Sequence, residues 1–391
     1  MKFSKRANQV SPSATLAVST EAKKMQATGI DVVNLSTGEP DFATPKSIID
    51  AATASMQSGK ASYYTPVGGL PELRQAIADH VQADTERTVT SEQVAVTVGA
   101  KMGLFETFQA LLDEGDEVII VAPYWVSYEE QVKLAGGSVV AIQPQARNLK
   151  TTPVELSHFK TDQTKLLILN SPQNPSGLVY SEEETRAIAQ WAVDNDVMLI
   201  ADEIYGKLVY NGARFSSVMT MGDAIVNNTI LIDGVSKAYA MTGWRIGYIV
   251  AVPQLIRKIL ALQGHMTSNP TAVAQYAALE ALQGSQKPVE EMRQAFEKRL
   301  NQTFNLMQNI PGFSFDHKPE GAFYLFPDVT QAMESKGYAS SSDFAMALLK
   351  EAHVAVVAGE AFGMPGHIRL SYATSQTLLD EAVRRIRAFM K

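Results

Sequence analysis

The run Val197-Met198-Leu199-Ile200-Ala201-Asp202-Glu203-Ile204-Tyr205 decides the architecture. Five consecutive apolar residues end on a carboxylate. A strand with one wet face alternates apolar and polar side chains. A strand apolar at every position is buried on both faces, as in a parallel sheet covered by helices. Working outward from 197–201, strands are read at 94–98, 117–122, 138–142, 166–169, 229–233 and 246–252, several of them apolar throughout. Amphipathic stretches such as 104–112, 128–134 and 181–195 lie between many of them, and Ser181 with Glu184 fits a capping box. This alternation predicts an α/β fold with a mainly parallel, seven-stranded sheet.

The pattern changes after Pro288. A long helix is predicted over 289–308, then Pro311-Gly312, short strands at 322–326, 354–357 and 368–371, and a closing helix over 376–389. These read as a smaller α+β domain. The expected division is an N-terminal segment 1–45 joined to the small domain, a large domain 46–287, and a small domain 288–391. A chain of 391 residues exceeds one hydrophobic core, which agrees with two domains.

Composition removes several function classes. The net charge is −7 and no long basic run occurs, so neither nucleic acid nor an anionic membrane is the expected partner. Cys is absent, which excludes disulfides, thiolate metal sites and Cys nucleophiles. His80, His158, His265, His317, His353 and His367 are scattered without metal-ligand spacing, so no metal is expected. Lys2, Lys5 and Arg6 precede polar Ser11-Pro12-Ser13 instead of an apolar core, and no apolar run reaches bilayer length. A soluble, cytoplasmic protein is expected.

Open parallel sheets bind ligands at the carboxyl ends of their strands, so the polar residues there carry the chemistry. Lys237 follows strand 229–233, flanked by small and apolar residues, with Arg245 eight positions on. A lysine beside fixed positive charge in a dry site loses basicity and becomes an amine nucleophile; elsewhere it is a surface residue. Asp202 ends its strand either as a helix N-cap or as a buried carboxylate facing a cation such as a pyridine-ring nitrogen. Tyr205 is placed to hydrogen-bond the phenolic oxygen of such a ring. Asn174 sits in the stiff turn Asn170-Ser171-Pro172-Gln173-Asn174-Pro175-Ser176-Gly177, where it would donate to a bound ring. Gly99-Ala100-Lys101 opens a helix after strand 94–98 and offers free N–H groups to a phosphate. Neither Gly-x-Gly-x-x-Gly nor a Walker A motif is present, which lowers the dinucleotide and nucleoside-triphosphate readings.

With these residues the chain resembles the fold-type I aminotransferases, specifically the class I aspartate aminotransferase family. The matching pieces are Gly38-Glu39-Pro40-Asp41-Phe42, Tyr64-Thr65-Pro66, Pro123-Tyr124-Trp125, Asn174-Pro175-x-Gly177, Asp202-Glu203-x-Tyr205, Ser236-Lys237 through Gly247, Gly321-Ala322-Phe323-Tyr324 and Arg369-Leu370-Ser371. They follow the family's order over essentially the whole chain.

The resemblance implies pyridoxal 5′-phosphate as cofactor, with Lys237 as its Schiff-base lysine and proton shuttle. It implies Asp202 as pyridinium partner, Asn174 and Tyr205 as donors to the ring oxygen, and Trp125 stacked on the ring. Phosphate contacts would come from Arg245, Ser236, the N–H groups of Gly99, Ala100 and Lys101, and Tyr64 of a neighbouring copy. The implied assembly is a homodimer with shared active sites, in which segment 1–45 takes part in the dimer contact. Arg369 would hold the substrate α-carboxylate, with Asn174 and the Gly38 backbone assisting. The family's better-known branch reads the distal carboxylate with an arginine from the partner, near a motif absent here. This sequence looks like the bacterial branch in which Lys101 and Thr15 face that carboxylate. The implied reaction moves an amino group between L-aspartate, or another amino acid, and 2-oxoglutarate by a ping-pong mechanism. The alternatives are an aromatic, prephenate or alanine aminotransferase and a carbon–sulfur lyase.

Overall fold

In the computed structural model one seven-stranded sheet runs, edge to edge, Val94–Thr97, Gly247–Val250, Thr229–Gly234, Met198–Asp202, Thr164–Asn170, Glu117–Val121 and Ser138–Ile142. Residues 1–391 are described except Ser13, Ala146 and Arg147 and the side chains of Ala14 and Thr15. All neighbouring strands pair in parallel except Gly247–Val250, which is antiparallel to both of its neighbours. The α/β expectation with a mainly parallel sheet therefore holds, and each strand lies within two residues of its sequence-based bounds.

The unbroken apolar runs have the cause read from the sequence. Along Thr229–Gly234, Ile230 and Ile232 pack with Leu104 and Phe108 on one face of the sheet. Leu231, between them, packs with Leu73 and Ile77 on the other. Helix Glu182–Asp194 starts at the anticipated capping box, with the Ser181 hydroxyl accepting from the Glu184 N–H and the Glu184 carboxylate accepting from the Ser181 N–H. Four helices not singled out above, Lys46–Gln57, Pro71–Thr85, Pro253–Met266 and Ala272–Gln283, complete the layers around the sheet.

A smaller α+β part packs against the carboxyl end of this sheet. It holds an antiparallel sheet in the order Val357–Ala358, Ile368–Ser371, Tyr324–Leu325 and a parallel pair, Val33–Asn34 with Val354–Ala355. Two strand expectations are corrected here. The strand expected over 354–357 is split at Val356, because its halves pair with different partners. The strand expected over 322–326 shrinks to Tyr324–Leu325, because Ala322 takes a left-handed φ of 56° that an extended strand cannot contain.

One buried group sets a pH dependence of stability. Glu106, on helix Ala100–Leu111, is fully buried, and neither carboxyl oxygen has a hydrogen-bond partner among the described residues. Burial pushes its carboxyl up from 4.5 to about 8. In the unfolded chain the group ionises near 4.5, so the fold loses stability as pH rises from 4.5 to 8, by about a few kcal/mol in all. Glu106→Gln cannot ionise. Its melting temperature should exceed that of the wild type by a margin that grows between pH 5 and 8.5, followed by calorimetry. A margin that does not change with pH would contradict this account.

Candidate active site

The strand register brings the chemistry together. Asn170, the last residue of its strand, is paired with Asp202, the last of the next, and Asp202 with Ile232, two residues before the end of Thr229–Gly234. Beyond them lies a cavity of about 570 Å³. Its walls include Gly38, Ala100, Lys101, Trp125, Asn174, Asp202, Tyr205, Ser236, Lys237, Arg245 and Arg369.

Asp202 is buried. One carboxylate oxygen accepts from the Tyr128 hydroxyl at 2.6 Å and the other from the Ile204 N–H at 3.3 Å. No helix follows it, which removes the N-cap reading. Burial raises its pKa against the opposing pull of these donors and of Lys237.

Lys237 projects from the loop after Thr229–Gly234, and its Nζ donates to the Gly38 carbonyl at 2.7 Å. The amine lies 5.8 Å from the ring centres of Tyr205 and Phe323. Burial pulls its pKa down to about 8, with Arg369 and Arg245 adding to the shift and Glu39 and Asp202 opposing it.

Arg369 is 2% exposed, on strand Ile368–Ser371. Its Nη1 donates to Asn174 Oδ1 at 3.0 Å and its Nη2 to the Ser36 carbonyl at 2.8 Å, while Nε has no partner among the described residues. The guanidinium carbon stands 4.5 Å from the Tyr324 ring centre and 5.0 Å from that of Phe362. No carboxylate among the described residues pairs with it, and burial lowers its pKa. Asn174 is fixed in turn by Asn170, whose Oδ1 accepts the Asn174 N–H at 2.9 Å and whose Nδ2 donates to the Asp202 carbonyl at 2.9 Å.

The helix Ala100–Leu111 opens at the cavity from Gly99, whose φ is 76°. The N–H groups of Ala100 and Lys101 have no acceptor among the described residues, leaving the positive end of the helix dipole bare. A side chain at Gly99 would strike the Arg245 guanidinium, so only glycine lets Arg245 lie across this turn. With Ser236 beside it, this is an anion cradle. The Lys101 amine rests 4.8 Å from the centre of the Trp125 ring. Partial burial and repulsion from Arg245 hold its pKa below the usual lysine range.

One expected site residue is not brought in by its own chain. Tyr64 is 91% exposed, away from the cavity of its own chain. The Thr15 side chain lies outside the described residues. Three residues given no role from the sequence are in place: Tyr128 against Asp202, Ser36 against Arg369, and Tyr324, whose hydroxyl lies 2.8 Å from that of Tyr205. Tyr324 stands in a quoted motif; the other two have no local signal.

This geometry has known counterparts. The model of the aminotransferase class I and II family matches residues 30–386. The chain belongs to this family. The chain is 50% identical to an aspartate aminotransferase of Bacillus sp. (strain YM-2), over 99% of this chain and 98% of that one. It is 48% identical to an asparagine–oxo-acid transaminase of Streptococcus mutans, over 100% and 99%. The structure of the Thermus thermophilus aspartate aminotransferase with maleate superposes at a TM-score of 0.93, with 40% identity and 99% coverage of both chains. The protein is thus an aminotransferase.

The Lys237 amine gives this aminotransferase a second pH signature. The unfolded chain holds a lysine near 10.5 and the folded chain holds this one near 8. Charging it is therefore harder in the fold, a cost of about 3 kcal/mol, fully present below pH 8 and lost as pH rises through 10.5. In protein freed of bound small molecules, Lys237→Met should melt higher than the wild type at pH 7, with the gain shrinking toward pH 10. A lower melting temperature at pH 7 would refute the shift.

Proposed function

We propose that this aminotransferase binds pyridoxal 5′-phosphate and moves the amino group between L-aspartate, or another amino acid, and 2-oxoglutarate by a ping-pong mechanism. The observation that carries the reading is one cavity holding a lysine amine of lowered pKa, a buried carboxylate and a buried guanidinium with no acidic partner. The donor set fits the cofactor. The bare N–H groups of Ala100 and Lys101, the Gly99 turn, Ser236 and Arg245 suit its phosphate, Asp202 its ring nitrogen, Asn174 and Tyr205 its phenolic oxygen, and Trp125 its ring face. When bound, the cofactor supplies an aldehyde carbon and an electron-accepting pyridine ring.

The chain's own residues do the rest. Arg369 holds the substrate α-carboxylate with its free Nε and a neighbouring N–H in a planar fork, assisted by Asn174 and Gly38. That grip orients the Cα–H bond, and the Lys237 amine, its pKa lowered by burial to about 8, takes and returns the α proton. Asp202 would face the ring nitrogen, with Tyr128 holding the carboxylate in place.

The distal carboxylate of the substrate is read by Lys101, with the Thr15 hydroxyl. Burying a carboxylate without a cation costs several kcal/mol, Arg369 is committed elsewhere, and Lys101 lines the cavity. We also propose a cytoplasmic homodimer with shared sites; exposed Tyr64 supports a neighbour's phosphate as its target, and a chain without Cys needs no oxidising compartment. The pairing of Val33–Asn34 to Val354–Ala355 supports joining the segment 1–45 to the small domain 288–391, apart from the large domain 46–287.

The test is chemical. Lys237→Ala should lose transamination while cofactor stays bound non-covalently, and borohydride reduction of the wild type should label Lys237. A label on another lysine, or thiol release from cysteine faster than oxo-acid formation, would overturn the reading. Lys101→Ala should lower kcat/KM for aspartate and glutamate roughly tenfold or more and that for phenylalanine by less than about threefold. Equal losses for both substrate classes would show that Lys101 does not read the distal carboxylate.

A further inference from the structure

Tyr324 occupies a junction that the mechanism above does not use. Its hydroxyl is 2.8 Å from the Tyr205 hydroxyl, and the ring lies 4.5 Å from the Arg369 guanidinium carbon. Both tyrosines are buried. A side chain on Gly38 would come within 2.6 Å of the Tyr324 oxygen, so the bare backbone there leaves room for this hydroxyl. The same Gly38 accepts the Lys237 amine. One phenol thus adjoins the residues proposed to hold the ring oxygen, the α-carboxylate and the catalytic amine.

A hydroxyl has a single proton. Tyr205 cannot donate to a cofactor oxygen and to Tyr324 together. Once an anionic oxygen faces Tyr205, its proton goes there, and the 2.8 Å contact is kept only if Tyr324 becomes the donor. The charged and titratable groups around Tyr324 are Arg369, Tyr205, Tyr372 and Glu39. Burial raises the Tyr324 pKa, so it stays a neutral donor, while Arg369 opposes that rise and makes its proton easier to give.

We propose that Tyr324 is a positioning residue: it donates to Tyr205, strengthens the Tyr205 hydrogen bond to the cofactor's phenolic oxygen, and braces Arg369 with its ring. The inference rests on the cofactor reading given above. A weaker Tyr205 donor leaves more negative charge on the phenolic oxygen. A proton shared with that oxygen is then held more tightly, and the pH at which the bound cofactor changes colour rises. Hydroxyl and ring act on different quantities, the first on this midpoint and the second on substrate affinity.

The experiment uses the holoenzyme in five forms: wild type, Tyr324→Phe, Tyr324→Leu, Tyr205→Phe and the double variant Tyr205→Phe/Tyr324→Phe. The visible absorbance of bound cofactor is titrated with pH, and kcat and KM for aspartate are measured. Tyr324→Phe and Tyr324→Leu should both raise the midpoint by about half to one pH unit, the scale of one hydrogen bond. Either variant suffices for this comparison if the other fails to fold. Tyr205→Phe should raise it further, and the double variant should match Tyr205→Phe, because Tyr324 acts through Tyr205. Tyr324→Phe keeps the ring and should hold KM within about threefold, while Tyr324→Leu should raise it by about tenfold. An unmoved midpoint in the Tyr324 variants, or additive shifts in the double variant, would overturn the relay alone. A wild-type visible band that does not move with pH would overturn the relay alone, whereas a wild-type enzyme without any visible cofactor band would overturn the cofactor reading, and the relay with it.

Discussion

A guanidinium buried without a counter-charge is the constraint on which the site depends. Arg369 is 2% exposed, and its compensation is one amide oxygen, one backbone carbonyl and two aromatic faces. The contacts come from three parts of the chain. Asn174 stands on the loop after Thr164–Asn170, Ser36 follows the strand Val33–Asn34, and Tyr324 and Phe362 belong to the small α+β part. Holding one cation in place therefore ties the large sheet, the N-terminal segment and the small part together. Removing a charge from water costs several kcal/mol unless its geometry is well satisfied, and here Nε is left open. The fold carries that cost so that an anion entering the cavity finds a donor already aimed.

Lys237 and Asp202 follow the same logic with opposite signs. The amine is kept less basic and the carboxylate less acidic than usual, both mainly by burial. Their direct coupling is minor beside that burial, and each is hydrogen-bonded to a neutral group, Gly38 or Tyr128. A salt bridge between them would be more stable and would leave neither free. Residues that destabilise the empty fold in this way are the usual trade between stability and activity.

How much of this was legible in the sequence depends on range. The central strands were legible because burial on both faces leaves few polar positions, as Ile230, Leu231 and Ile232 illustrate. The helix start at Ser181 was legible because a capping box is local. The strand over 354–357 misled because its halves choose partners far apart in the chain, which four apolar residues cannot encode. Tyr128 was read as part of an amphipathic stretch; its contact with Asp202 spans 74 positions and leaves no trace in spacing. Ser36 acts through its carbonyl, which no side-chain pattern marks. Glu106 is harder still, since a glutamate among helix formers reads as an exposed position, yet here it is fully buried. Tyr64 was found by motif, but a single chain leaves it in solvent.

Two anions compete for the start of the helix Ala100–Leu111 in the proposed reading, a phosphate and the distal carboxylate of a substrate. The backbone can serve only one of them, because bare N–H groups and the helix dipole act within the first turn. Lys101 resolves the conflict by dividing itself. Its N–H stays in the cradle, while its side chain turns back so that the amine lies over Trp125, 4.8 Å from the ring centre. A positive side chain at a helix start is unfavourable for the helix by itself, since it faces the like end of the dipole. Placing the amine on the electron-rich face of an indole offsets part of that repulsion and keeps it at the cavity wall. An arginine there would fix a planar fork in one direction, whereas a lysine presents a point charge on a flexible stem. On the proposed reading the position suits substrates that share an α-carboxylate and differ in their far end, Arg369 setting the orientation and Lys101 following the side chain.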